Sequence, residues 1–169
     1  MKQMIKCLYI EIEKRKNYLD GKTVETIYFG GGTPSIVESE KIKYLLEKIQ
    51  STYKVSKDVE ITLELNPDDI TEKKIAALKN IGVNRLSIGV QSFHDRDLEF
   101  MNRSHNSLQA INAVNLAYNA GIKNITIDLI YGIPGQSMRQ WEKNLNQLST
   151  LKITHFSAYA LTVEPNTKL

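Results

Sequence analysis

Hydrophobic residues recur along the chain in two alternating patterns. Stretches in which every second residue is apolar predict strands, and stretches with apolar residues three and four positions apart predict helices. The predicted strands cover residues 24–29, 59–65, 84–90, 124–130 and 153–160, and the predicted helices cover residues 2–19, 39–52, 71–81, 107–120 and 137–149. This alternation predicts an α/β fold in which parallel strands are joined by right-handed helical crossovers.

An internal repeat supports this assignment. Residues 82–90 match residues 121–129 in residue type at nearly every place, and residues 59–65 fit the same register. The repeated unit is therefore one strand followed by one helix. Ser137 with Gln140 also predicts a capping box at the start of the last helix.

Side chains within three of the strands fall on two faces of different character. One face is apolar and consists of Ile61, Leu63, Leu65, Leu86, Ile88, Val90, Ile125, Ile127 and Leu129. The other is mostly polar and consists of Thr62, Glu64, Ser87, Gly89, Gln91, Thr126 and Asp128. Parallel strands that are buried on both faces are normally apolar throughout. We therefore expect the apolar face to pack on helices and the polar face to line a cavity.

Three consecutive glycines, Gly30, Gly31 and Gly32, follow the first strand and precede Thr33 and Pro34. Glycine has no Cβ, so this loop lets a ligand approach the main chain closely. A tight turn without a ligand explains the glycines equally well. The Gly-Lys-Ser/Thr ending of a phosphate-binding loop of the Walker type is absent.

Polar residues also occupy the carboxyl ends of later strands. Glu64, Gln91 and Asp128 lie at the same edge of the predicted sheet as the glycines, and this edge is where α/β sheets and barrels bind ligands. Two carboxylates together predict a ligand that carries a cation and several hydrogen-bonding groups. The alternative is that Glu64 and Asp128 pair with lysine or arginine residues from loops.

Composition narrows the class of protein. The 169 residues are 41% hydrophobic and 24% charged, which predicts one globular domain over residues 1–169 in the cytoplasm, without a signal peptide or membrane span. The 22 basic and 19 acidic residues are scattered, so nucleic acid is not a predicted partner. The three histidines lack metal-ligand spacing, and we predict no metal site among the residues of this chain. The one cysteine, Cys7, is interpreted as a small apolar residue on a helix.

Five segments, taken together in this order, resemble a known family: Tyr28–Ser35 (YFGGGTPS), Glu64–Pro67 (ELNP), Leu86–Phe93 (LSIGVQSF), Arg103 and Ile127–Gln136 (IDLIYGIPGQ). The chain resembles the oxygen-independent coproporphyrinogen III oxidase family of radical S-adenosylmethionine proteins over essentially its whole length. Its ending, residues 157–167, is more similar to the heme chaperone branch of that family than to the oxidase branch.

The resemblance implies a partial, TIM-like barrel of six βα units, of which this chain would supply five strands and lack the first. S-adenosylmethionine would lie across the carboxyl ends of the strands. By motif, Gly31, Gly32 and Thr33 would bind its amino group and neighbouring atoms. Ala160 would contribute backbone near the adenine. The remaining residues implied at the ligand site are Glu64, Gln91, Arg103 and Asp128.

The resemblance also implies a [4Fe-4S] cluster, which the family holds in a Cys-x-x-x-Cys-x-x-Cys loop that this chain lacks. The chain is therefore expected to be an internal piece of a longer protein, and the piece alone is expected to be inactive in radical chemistry. The full-length protein is predicted to act in heme metabolism as a heme chaperone, with a membrane-associated heme acceptor as a further candidate partner.

The sequence is also compatible with three other functions. The protein could be the oxidase, which decarboxylates two propionate side chains of coproporphyrinogen. It could be a half-barrel that binds another nucleotide or sulfonium compound. It could also be a purely structural α/β domain, in which case side chains would fill the edge of the sheet and leave no pocket. The oligomeric state is not predicted.

Overall fold

The structure is a computed structural model that describes residues 2–163. Five parallel strands form one sheet whose spatial order follows the chain order, and the sheet curls into a half-barrel. The strands are β1 (Val24–Phe29), β2 (Val55–Leu65), β3 (Arg85–Gln91), β4 (Asn124–Tyr131) and β5 (His155–Ala160). The predicted α/β partial barrel with five parallel strands is confirmed.

Six helices accompany the strands: α1 (Lys2–Lys14), α2 (Ser39–Thr52), α3 (Glu72–Asn80), α4 (Asp95–Phe100), α5 (Ser107–Asn119) and α6 (Met138–Ser149). Short 3-10 turns cover Pro34–Ile36 and Pro67–Asp69. Helix α1 ends before residue 19, and the chain turns through Asp20 and Gly21, which both have positive φ. Strand β2 begins four residues earlier than predicted. Asp95 and Arg96 are interpreted from the sequence as a solvated helix start, and α4 begins there, but six residues are too few to show the helical stripe that would predict its extent.

The two copies of the repeat are neighbours in the sheet. Each residue of β3 from Arg85 to Ile88 pairs with its repeat equivalent in β4, from Asn124 to Ile127. Equivalent side chains therefore stand side by side on the same face. The register shifts between Ile88 and Gln91, where β3 ends.

The core lies between the sheet and the helices. The nine apolar residues predicted to pack on helices are all at most 3% exposed and belong to the main core cluster. Trp141 and Leu148 of α6 pack against it and are partly buried, as expected for core-facing residues. Helix α6 starts with the predicted capping box of Ser137 and Gln140, which satisfies backbone N–H groups of its first turn.

The two outermost strands are the most exposed. Within residues 2–163, β1 pairs only with β2 and β5 pairs only with β4. Phe156 and Tyr159 of β5 are 42% and 57% exposed. No helix in this range has the length and apolar content to cross a bilayer. The predicted family-like ending continues to residue 167, and residues 164–167 lie outside the described part of the chain.

Candidate functional site

A polar cavity of about 180 Å³ lies at the carboxyl ends of the strands. Six of the eight predicted site residues line it: Gly32, Thr33, Glu64, Gln91, Arg103 and Asp128. Pro34, Leu65, Asn66, Ser87 and Gly89 complete the lining. Residues from β2, β3, β4 and three loops meet here because the strands are parallel and end at one edge.

Glu64 holds the glycine loop in place. The Tyr28 hydroxyl donates to Glu64 Oε1 at 2.7 Å, and the Gly31 N–H donates to Glu64 Oε2 at 2.9 Å. A carboxylate oxygen can accept two hydrogen bonds, so each oxygen keeps a lone pair that a ligand can use. Burial and the hydrogen bond to Glu64 raise the pKa of Tyr28 to about 12.

The three glycines have two different roles. A Cβ on Gly30 would overlap the Tyr28 ring and lie 2.8 Å from Glu64 Oε1, so a side chain there would displace the Tyr28–Glu64 pair. Gly31 and Gly32 instead have φ of 83° and 70°, and a Cβ on either would meet no atom within 4 Å. Gly30 is thus needed for packing, whereas Gly31 and Gly32 leave open space over a left-handed backbone that favours glycine.

Arg103 brings a partly satisfied cation to the cavity. Its Nη2 donates to Asn66 Oδ1 at 2.8 Å and to the Gly89 carbonyl at 3.3 Å. Its Nε is buried, and no acceptor among the described residues reaches it. Burial lowers the pKa of Arg103, and the nearby charge of Asp68 opposes that shift. A buried N–H donor without a partner is costly, so this guanidinium is suited to an acceptor supplied by a ligand.

Gln91 and Arg103 share the space above Gly89. A Cβ on Gly89 would lie 2.8 Å from Gln91 Nε2 and 3.5 Å from Arg103 Nη2. The missing side chain at Gly89 therefore makes room for both. Gln91 itself has φ of 67°, a left-handed conformation that is uncommon for residues other than glycine.

Asp128 is the second carboxylate of the cavity. Burial is the main cause that raises its pKa, and the negative charge of Glu64 adds to the shift. Hydrogen bonding to Ser157 and Ser87 opposes it, with Ser87 Oγ at 3.4 Å from Asp128 Oδ2. A cation placed beside Asp128 would favour its ionised form and so oppose the raised pKa.

A second polar cavity of about 240 Å³ continues along the inner face of the sheet. It shares Glu64, Ser87 and Asp128 with the first. Its deeper wall includes Arg85, which pairs with Glu60 at 3.1 Å and donates to Thr126 Oγ1 at 2.8 Å. The two cavities therefore form one polar groove in which the Arg85 charge is already matched.

The other two predicted site residues lie outside the first cavity. Gly31 adjoins it through the hydrogen bond to Glu64. Ala160 is exposed at the end of β5, paired with Tyr131, and lines neither polar cavity. The sequence placed Ser87 and Gly89 on the inner face without assigning them to the site. It gave no sign that the Tyr28 hydroxyl reaches Glu64, because that contact depends on side-chain reach.

The residues of this chain do not fit an iron-sulfur cluster. Cys7 is the one cysteine in the sequence and is exposed on α1, and such a cluster needs several thiolate ligands. Residues 2–163 bring together no group of three His, Cys, Asp or Glu side chains suited to a metal ion.

His105 is buried next to the site. Its Nε2 lies 3.0 Å from the Val90 carbonyl oxygen, and burial lowers its pKa.

The sequence of this chain is similar to those of known proteins. The sequence pattern of the Radical SAM superfamily matches residues 10–148. The chain is 36% identical over 164 residues to "Heme chaperone HemW" of Haemophilus influenzae, which covers 97% of this chain and 43% of that protein. It is 41% identical over 145 residues to the protein of the same name from Bacillus subtilis, which covers 85% of this chain and 38% of that protein.

The fold is similar to that of a solved structure, coproporphyrinogen III oxidase (HemN) from Escherichia coli, a Radical SAM enzyme. The TM-score is 0.87 at 29% sequence identity, and the match covers 97% of this chain and 38% of that one. The chain thus spans about two fifths of the length of the proteins it matches. Because the superfamily pattern matches most of its residues, the chain belongs to the Radical SAM superfamily.

Proposed function

We propose that the polar groove binds S-adenosylmethionine. The observation that carries this proposal is the meeting of two carboxylates, Glu64 and Asp128, with the partly satisfied Arg103 guanidinium beside the open Gly31–Gly32 backbone. S-adenosylmethionine has matching groups, namely a sulfonium and an ammonium cation, one carboxylate and two ribose hydroxyls. Neither cavity alone reaches the roughly 300 Å³ usual for small-molecule pockets, but the two share three lining residues and together do.

Each residue has a role that its chemistry supports. Arg103 is suited to the ligand carboxylate, because a guanidinium binds carboxylates through two parallel hydrogen bonds. Glu64 and Asp128 are acceptors for the ammonium group or ribose hydroxyls. Since the Gly31 N–H is taken by Glu64, the glycine loop would offer its carbonyl oxygens, along with the Thr33 hydroxyl.

Of the two remaining assigned residues, Gln91 lines the first cavity and Ala160 lies outside both cavities. Gln91 can both donate and accept beside Arg103. Ala160 would contribute backbone on the open side near β5, where the adenine is expected. When bound, S-adenosylmethionine is the source of the radical chemistry for which the superfamily is named, and the residues of this chain bind and orient it. The ligands of a [4Fe-4S] cluster would come from outside this chain.

For the whole protein we infer a role in heme metabolism as a heme chaperone, located in the cytoplasm. Both relatives named above carry that name, and they are 36% and 41% identical to this chain. Heme would be the cargo, and a membrane-associated heme protein is the candidate acceptor. Nothing in this role requires this chain to hold the heme by itself.

A second candidate function is the oxygen-independent oxidation of coproporphyrinogen III, favoured by the TM-score of 0.87 to the E. coli oxidase. Two assays on the full-length protein separate the functions. Heme titration detects the chaperone, and anaerobic conversion of coproporphyrinogen detects the oxidase. Conversion of coproporphyrinogen without any heme binding would overturn the chaperone proposal.

Calorimetry of S-adenosylmethionine with the full-length protein tests the site. Replacing Glu64→Gln or Asp128→Asn should weaken binding about 10- to 100-fold, because hydrogen bonds to charged groups contribute about 1.5–3 kcal/mol. Glu60→Gln is the matched control, since Glu60 lies on the same strand and face but pairs with Arg85. An unaffected Glu64→Gln protein, or an equal loss in Glu60→Gln, would show that the site is wrongly assigned.

A further inference from the structure

Gln91 ends β3 in a backbone conformation that glutamine seldom adopts. Its φ is 67°, and the Ser92 N–H donates to the Val90 carbonyl at 2.9 Å, which closes a γ-turn around Gln91. A γ-turn with positive φ is the rarer and more strained of the two forms. The register between β3 and β4 shifts at the same place. Surrounding groups must therefore hold this turn.

Asn144 of α6 contacts both residues that follow the turn. Its Oδ1 accepts the Phe93 N–H at 2.8 Å, and its Nδ2 donates to Ser92 Oγ at 3.2 Å. Ser92 and Asn144 are both fully buried. Hydrogen bonds in such a place are strengthened by the low dielectric and are expensive to lose.

The Ser92 hydroxyl extends this network to two more elements. It donates to Asp97 Oδ2 at 2.9 Å, and Gln136 Nε2 donates to the same oxygen at 3.0 Å. Asp97 lies on α4 and is 3% exposed, and Gln136 lies in the loop after β4. The chain directly after Gln91 is thus connected by hydrogen bonds to α4 and α6, and through Asp97 to the loop after β4.

Asn144 is an unusual residue for its position in the helix. It is the buried residue of α6, on the side where Trp141 and Leu148 pack against the main core. An apolar side chain would normally occupy such a position, because burying an amide is costly unless it is hydrogen-bonded. The hydrogen bonds to Ser92 and Phe93 offset that cost, so the position serves the loop rather than the packing of the helix.

We propose that Asn144 is a positioning residue for the ligand site. Through Ser92 and Phe93 it holds the strained turn at Gln91, and it thereby sets where the Gln91 carboxamide stands in the cavity beside Arg103. The identity of the ligand in this inference rests on the proposed function. The claim about the turn does not.

A double-mutant cycle tests the link to the ligand. In the full-length protein, Asn144→Ala and Gln91→Ala should each weaken S-adenosylmethionine binding about five- to tenfold, which is the scale of one lost hydrogen bond. The double variant should bind no more weakly than the weaker single variant, because Asn144 acts through Gln91. Independent, multiplying losses in the double variant would overturn the proposal.

Leu148→Ala is the matched control. It removes core packing from the same helix but no hydrogen bond, so it should lower stability and leave affinity unchanged when binding is measured well below the melting temperature. An equal loss of affinity in Leu148→Ala would show that Asn144 acts only through the stability of α6. If Asn144→Ala does not fold, Ser92→Ala removes one of the two Asn144 contacts and should give a smaller loss of affinity in the same direction.

A structure without ligand tests the turn itself. In crystals of the Asn144→Ala or Ser92→Ala protein, the φ of Gln91 should leave the left-handed region. A Gln91 turn unchanged in both variants would overturn the proposal whether or not S-adenosylmethionine binds. Absence of binding in the unsubstituted protein would instead count against the proposed function, and it would leave this structural test in force.

Discussion

The two faces of the central strands are built from alternate residues of the same segments, yet they differ completely. On the outer face, Leu63, Ile88 and Ile127 are entirely buried against helices. On the inner face, small hydroxyl residues such as Ser87 and Thr126 lie deep, and polar residues line the two cavities. Stability and chemistry are therefore divided by position within each strand, so each can be altered without the other.

The largest expected effect comes from the outer face. Ile127→Ala should lower the free energy of unfolding by about 2–5 kcal/mol, because it leaves a cavity in a fully packed core. Ser87→Ala on the inner face loses only a long hydrogen bond to Asp128 and should cost less than about 1 kcal/mol. Urea denaturation measures both. Equal losses of unfolding free energy in the two variants would contradict the conclusion that the outer face carries the stability.

The inner face should show itself in the pH dependence of binding. Burial raises the pKa of Asp128 in the free protein, and a cationic ligand favours the ionised form. The dissociation constant for S-adenosylmethionine should therefore increase about tenfold for each pH unit below that raised pKa. Calorimetry over a pH series should show this slope in the unsubstituted protein and not in Asp128→Asn. The same slope in both proteins would show that a group other than Asp128 takes up the proton.

His105 is a polar residue buried as deeply as the outer face. Burial lowers its pKa from 6.5, and the Arg103 charge acts in the same direction. His105 therefore binds a proton more readily in the unfolded chain than in the folded protein. The contribution of neutral His105 to the free energy of unfolding is complete above pH 6.5 and is lost as the pH falls toward the lowered pKa. The expected loss is about 1.4 kcal/mol per pH unit at most.

Thermal denaturation between neutral and mildly acidic pH measures this contribution. His105→Gln keeps a donor for the Val90 carbonyl and removes the titration, so its melting temperature should fall less over the same range. A parallel fall in both proteins would assign the acid sensitivity to other groups.

The smallest expected effect belongs to Tyr28, whose ring is 59% exposed while its hydroxyl contacts Glu64. Tyr28→Phe removes one hydrogen bond to Glu64, so it should lower the free energy of unfolding by about 0.5–1 kcal/mol. Because Glu64 is then held less firmly, ligand binding should weaken about two- to threefold. Ultraviolet titration should show a tyrosine that ionises at about pH 12 in the unsubstituted protein and is missing from Tyr28→Phe. Its absence from the unsubstituted protein would mean that the hydroxyl does not contact the carboxylate.

Much of the fold could be predicted from the sequence because its signals are periodic. The alternation of apolar and polar residues predicted the two faces of β2, β3 and β4. Because the carboxyl ends of parallel strands meet at one edge, the sequence also predicted that Glu64, Gln91 and Asp128 lie together. Arg103 came from family resemblance alone. Helix α4 was too short to leave a pattern.

Other parts of the site could not be predicted because they depend on loops and side-chain reach. No spacing shows that Arg103 will contact Asn66, which is 37 residues away, or that Asn144 will hold the segment after Gln91. The residue type of Gln91 does not indicate that its φ is left-handed. Ala160 stays a prediction, since it lies outside the polar cavities.

The order of the strands has a consequence for how the protein is made. Within residues 2–163, each strand after β1 pairs with the strand that precedes it in the chain, so none of these strands must wait for a partner that is synthesised much later. Low separation between pairing segments speeds folding, and domains form from the amino end during synthesis. The sheet can thus grow by one strand and one helix at a time as the chain leaves the ribosome, and Glu64 can fix the glycine loop as soon as β2 pairs with β1.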